Sequence, residues 1–242
     1  MAKPSAKART IGDMVIIAFY FLLRVGEYTH HRPSENRRTK QFRVSDITLW
    51  HNNIKLNPRL PISKLYQLCT AATMSISNQK NGKRCQVIHQ EAINNECCPI
   101  RALIRRIHHI LAHTNNPTTI ISTYFQSQSC TGRVITATDI NRAVKSAVEE
   151  LGLSKYGLHK DLVGSHSLQA GGAMAMHLQG IDPNTIKKMG SWSSDTFLMY
   201  IHEQISAFSA GVSRKMSIPV HFHNIAFQPA SPPLLYTTAL SA

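Results

Sequence analysis

Between Ile100 and Leu111 the chain places Ile100, Leu103, Ile104, Ile107, Ile110 and Leu111 three or four residues apart. At 3.6 residues per turn these aliphatic side chains share one side of a helix, while Arg101, Arg105, His109 and His113 repeat every four residues on another. A helix of this kind must bury its apolar stripe, so some other element has to present a matching surface. Met14 to Leu23 is the natural partner, an unbroken apolar run that closes on Arg24, Gly26 and Glu27. Its ten residues are about half of what spans a bilayer, and no small-residue cleavage site follows. The run therefore reads as a buried helix rather than a membrane anchor or a signal peptide.

The remaining segments add a sheet and more helices. Val44 to Trp50 and Thr73 to Ser77 alternate apolar and polar residues, and Cys85 to His89 resumes after Asn81-Gly82. Asn-Gly between two such runs is a strong hairpin signal. A helix is expected from about Asp139 to Leu151, capped by Thr136 or Thr138 and stopped by Gly152. Another starts near His166 and ends at Gly180. Asp182-Pro183 opens a further short helix that stops at Gly190, and Ser193 or Ser194 caps a last helix carrying Tyr200. The expected fold class is mainly α with a small antiparallel β-sheet, an α+β domain. Residues 1–10 read as a basic tail, 11–206 as one domain, and 207–242 as a C-terminal tail punctuated by Pro219, Pro229, Pro232 and Pro233.

Charge narrows the choice of partner. Lys and Arg total 27 against 13 Asp and Glu, a formal net charge of +14 that favours a polyanion. The loop at 30–43 concentrates Arg32, Arg37, Arg38, Lys40 and Arg43. Arg37, Arg38 and Lys40 are read as phosphate contacts in preference to a solvated basic face, and Arg101 and Arg105 as contacts of the same kind. His109 and His113 share a helical face, but no Cys, Asp or Glu stands at ligand spacing beside them, so no metal is expected. Five cysteines (Cys69, Cys85, Cys97, Cys98 and Cys130), without C-x-x-C spacing, suit reduced thiols in an intracellular compartment.

Gly164 to Tyr200 reads GSHSLQAGGAMAMHLQGIDPNTIKKMGSWSSDTFLMY. With LLRVGEYT at Leu22 to Thr29 and SNQKNGKRCQVIH at Ser77 to His89, in that order along the chain, it resembles the catalytic domain of the tyrosine recombinase (phage integrase) family. The resemblance implies DNA strand breaking and rejoining through a 3′-phosphotyrosyl link, with no metal or cofactor. Tyr200 would be the nucleophile, Arg24 a phosphate clamp oriented by Glu27, and His166 an aid to proton transfer. Lys80 would protonate the leaving 5′ oxygen, with Lys83 across the turn as the alternative. Arginine suits the clamp because its planar fork matches a phosphate bidentately. Double-stranded DNA is the implied partner, with protomers assembling on it. Location follows the source: the nucleus in a eukaryote, the cytoplasm in a bacterium.

Three departures bear on activity. Gln169 stands where the family has its second arginine, three residues after the histidine, and supplies neither charge nor fork. Trp192 lies eight residues before Tyr200 where the family's His or Trp lies nine before, so Ser191 takes that slot. Trp192 then either buttresses the pocket from one position over or packs in the core. Finally, the family carries an N-terminal helical domain that completes a clamp around the duplex. About a dozen residues precede the first expected helix here, so the chain is either a fragment of a longer element or unable to encircle DNA unaided. An enzyme weakened by Gln169 and a DNA-binding module that has lost cleavage are both consistent with this pattern. A helical interaction domain with no DNA role leaves the ordered blocks unexplained.

Overall fold

The computed structural model describes residues 4–30, 40–76, 86–126 and 131–192. Helix α1 (Ala6–Tyr20) begins well before the apolar run and takes in half of the expected tail. The Ser5 hydroxyl accepts from the Ala8 N–H and caps it. The early turns were hard to recognise because their buried face is polar. Thr10 and Asp13 are 0% and 6% exposed, and the Thr10 hydroxyl donates to the Ala6 carbonyl.

Pairs of polar groups explain how those residues tolerate burial. Helix α3 (Pro99–Leu111) packs its aliphatic stripe on α1, and Arg106 at the edge of that stripe is 2% exposed. Its Nη1 donates to Thr10 Oγ1 at 2.6 Å, its Nε to the Ile121 carbonyl at 3.2 Å, and its Nη2 to the Thr123 carbonyl. Arg105 donates from Nε to Asp13 Oδ1 at 2.7 Å. A buried charge is costly unless paired or hydrogen-bonded; Asp13 is paired with Arg105, and Arg106 is hydrogen-bonded through all three nitrogens.

The sheet has strand order β2-β1-β3-β4 and is antiparallel throughout, from β1 (Ile47–His51), β2 (Ile54–Lys55), β3 (Ala71–Ile76) and β4 (Gln86–Glu91). Helix α2 (Ile62–Leu68) lies between β2 and β3 in sequence. Val44–Asp46, expected as strand, forms a 3-10 turn closed by the Asp46 carboxylate on the Arg43 N–H. The Asn81-Gly82 turn lies outside the described residues. Thr73 pairs with Thr48 on one side and His89 on the other, and its hydroxyl accepts the Trp50 indole N–H at 3.0 Å. Leu49, Leu65, Met74 and Ile88 join Met14, Ile17, Leu103 and Ile107 in one core.

A two-stranded ribbon, β5 (Thr123–Tyr124) and β6 (Arg133–Val134), leads into α4 (Ala137–Glu150). Thr136 and Asp139 form a reciprocal capping box at its start, and Gly152 follows its end with φ 61°. Helices α5 (His166–Leu178) and α6 (Pro183–Met189) complete the set, the latter capped by Asp182 on the Thr185 N–H. The architecture is α+β, helices around one small antiparallel sheet. Among the described residues no helix is long and apolar enough to cross a membrane.

Candidate functional site

Arg24 sits on a turn that α1 cannot make as a helix. Leu22 adopts φ 52°, a left-handed conformation costly for a branched side chain, and is 2% exposed. The chain then enters the 3-10 turn Val25–Glu27, whose Glu27 carboxylate accepts the Arg24 backbone N–H at 2.7 Å and lies 3.7 Å from its guanidinium. Burial pushes the Glu27 pKa up, and its contacts with Arg24 oppose that. The Arg24 side chain keeps 27% exposure. Its Nη2 donates to the carbonyls of Ser191 at 3.1 Å and Gly190 at 3.4 Å.

Gln169 meets the same turn from α5. It is buried, and its Nε2 donates to the Leu22 carbonyl at 2.9 Å and the Gly190 carbonyl at 3.3 Å. Segments around residues 22, 169 and 190 thus converge, with Arg24 and Gln169 sharing one acceptor. Both amide hydrogens of Gln169 are engaged by backbone. The 190–192 turn is itself constrained. Ser191 has φ 55°, and a Cβ on Gly190 would stand 1.7 Å from the Trp192 ring. Trp192 is 6% exposed and packs with Leu22, Ala173 and Ile186, so it belongs to a small core directly behind the Arg24 turn.

His166, the first residue of α5, is exposed. The helix start is tied to α4 where Asn141 Oδ1 accepts the Ser165 N–H at 2.6 Å. His166 lines an open groove of about 680 Å³ together with Arg142, Lys145 and Lys160. Neither Arg142 nor Lys145 was singled out in the sequence, since each is one cation on an amphipathic helix without a local motif.

Tyr200, Lys80, Lys83, Arg37 and Arg38 lie outside the described residues. Lys40 is exposed. The expected basic face of α3 is largely engaged within the protein: Arg101 stands over the Tyr66 ring at 5.9 Å, and Arg105 pairs with Asp13 at 2.6 Å. His109 Nε2 accepts the Phe125 N–H at 3.1 Å, and His113 stacks on the Phe125 ring with centroids 4.6 Å apart. Arg106, the most buried cation of the helix, was missed, although an arginine beside an aliphatic stripe is a readable signal.

The His109 contact carries a prediction. Burial first, then the nearby positive charges of Arg106, His113 and Arg9, lower its pKa from 6.5 to about 4. The folded state therefore favours neutral imidazole, and this contribution is lost as pH falls from 6.5 towards 4. Because the ring is partly exposed, screening reduces the effect to about 1–2 kcal/mol. Asp13 and Glu27, with raised values, shift stability in the opposite sense. Urea unfolding at pH 7 and pH 4.5 should thus show a smaller loss for His109→Gln than for wild type. Equal losses would remove His109 from the account.

These features define an α+β domain with an arginine–glutamine pair gathered on one glycine carbonyl. No protein-family model and no curated protein matches the chain. Among solved structures it is similar to the Tn1549 transposon integrase in complex with a circular intermediate DNA, at 14% identity and a TM-score of 0.40, over 84% of this chain and 57% of that one. A second is a variant of the Tn1549 transposon integrase with transposon right end DNA, at 15% identity and a TM-score of 0.40, over 85% and 58%. The chain spans somewhat over half the length of these integrase chains.

Proposed function

We propose that residues from about Ala6 to 206 form a tyrosine-recombinase-type domain that docks on double-stranded DNA, with Tyr200 as the nucleophile for strand cleavage. The observation that carries this reading is the meeting of Arg24, Gln169 and Trp192 around Gly190. These residues belong to two separate blocks of the family resemblance, and a domain without that ancestry gives no reason for them to converge. Arg24 supplies the phosphate clamp and His166, at the exposed start of α5, a proton-transfer group. Lys80, or Lys83, is the general acid. Lys40 and Arg101, with Arg37 and Arg38, carry phosphate contacts; Arg105 contributes less because Asp13 engages it. Residues 207–242 form a C-terminal tail outside the domain, and protomers assemble on the DNA.

A second reading has its own support. Gln169 donates both amide hydrogens to backbone carbonyls, so the position that would hold a second arginine offers no donor to a phosphate. On that reading the domain binds DNA and does not cut it.

Both readings meet in one experiment. The protein is incubated with a nicked duplex whose cleaved end diffuses away, and a covalent protein–DNA adduct is sought on a denaturing gel. An adduct lost in Tyr200→Phe supports cleavage. Salt-sensitive binding without an adduct supports the binding module. Absence of both rejects the DNA assignment.

A further inference from the structure

A second cationic cluster lies on α1 and α3, away from Arg24. A cavity of about 470 Å³ is lined by Arg9, Asp13, Arg105, Arg106, His108 and His109, among others. Along α1, Arg9 precedes the helix end at Tyr20 by eleven residues, about 16 Å of rise, and Arg24 lies farther on. The cluster is therefore separate from the Arg24 turn, and it shares only Arg105 with the proposed DNA contacts.

Its charges do not balance. Three guanidinium groups surround one carboxylate, a residual charge of +2 with both histidines neutral. Asp13 is engaged by Arg105, and all three nitrogens of Arg106 donate to Thr10 or to the Ile121 and Thr123 carbonyls, so both guanidiniums are held in place. Arg9 is exposed at the rim and donates from Nη1 to the Pro4 carbonyl, while His108 is exposed on α3. The groups act on one another electrostatically. Burial lowers the Arg106 pKa to about 10; Asp13 opposes that shift, and Arg105 and Arg9 add to it. His109 feels Arg106 and Arg9 in the same sense. Like charges held this close are destabilising until a counter-ion joins them, and buried positive groups around a concave wall raise local anion concentration.

We propose that this cavity is a binding site for a compact dianionic phosphate, inorganic phosphate or a phosphate monoester. Arg9 and His108 make the direct contacts, and the fixed charges of Arg105 and Arg106 supply the field. A dianion matches the residual charge, whereas a phosphodiester, with one charge, leaves half of it uncompensated.

The site can be tested without assuming any DNA activity. Thermal unfolding of the full chain is followed while inorganic phosphate is titrated against chloride at equal ionic strength. Wild type should show a saturable rise in Tm. Arg9→Gln and His108→Gln, both at exposed positions, should weaken the apparent phosphate affinity about tenfold each, the usual effect of losing one charge-assisted hydrogen bond. Circular dichroism confirms that each variant folds. A Tm that follows ionic strength alone, or equal affinity in wild type and both variants, overturns the proposal. A dinucleoside monophosphate serves as the phosphodiester probe. Binding at least tenfold weaker than inorganic phosphate supports the dianion; equal binding overturns it and points to nucleic-acid backbone instead.

Discussion

Gly172→Ala is expected to destabilise the fold by about 3 kcal/mol, the upper end of what overpacking does, because the new methyl meets backbone. A Cβ at this position would stand 2.3 Å from the Phe19 carbonyl oxygen and 2.5 Å from Leu22 Cδ2. The oxygen belongs to the last turn of α1 and cannot swing aside as a side chain can. Helix α5 would have to back away from α1, taking with it the Gln169 amide that reaches Leu22 and Gly190. Gly171 provides the control. Its Cβ would meet only the Phe19 ring, at 3.5 Å from Cε2 and 4.0 Å from Cδ2, ordinary contact, so Gly171→Ala should gain roughly 0.5–1 kcal/mol of helix propensity. Urea denaturation of the pair separates packing from propensity. If the two variants differ by less than about 1 kcal/mol, the close approach of α5 to α1 is not as described.

The same contrast explains what could be read from the amino acids alone. Helix α3 was legible because its aliphatic residues are dense and strictly spaced. The first turns of α1 were not, because Thr10 and Asp13 face inward and are satisfied by Arg106 and Arg105, nearly a hundred residues away. Strands β2, β5 and β6 have two residues each, too few to show a period. At the candidate site, the family resemblance placed Arg24 and Gln169 together and left Trp192 between the pocket and the core. It could not show that Gln169 turns its amide onto backbone, since that depends on where two left-handed residues, Leu22 and Ser191, aim their neighbouring carbonyls. Trp192 packs against Leu22, Ala173 and Ile186 in a small core.

Under the recombinase reading, the arginine and the glutamine should respond in opposite directions when changed. Arg24→Ala removes the guanidinium that reaches the Gly190 and Ser191 carbonyls and should lower adduct formation by about 10²–10³, as loss of a preorganised donor to a developing oxyanion does. Arg24→Lys should recover little of this, because a single ammonium cannot reproduce the fork that reaches Gly190, Ser191 and Glu27. Gln169→Arg should act the other way and raise adduct formation by about 10³, the lower end of what an arginine contributes to phosphoryl transfer. It does so at a cost in stability of about 1–2 kcal/mol, because the Leu22 and Gly190 carbonyls lose a buried amide donor of fitted length. DNA affinity should change little in Gln169→Arg, and its salt dependence should lose about one unit of slope in Arg24→Ala. Single-turnover cleavage and binding measured on the same duplex distinguish the two effects. A Gln169→Arg protein that folds and binds DNA yet forms no more adduct than wild type would place the defect elsewhere. The Arg24–Gly190 contact would then be a structural clasp rather than the remnant of a phosphate site.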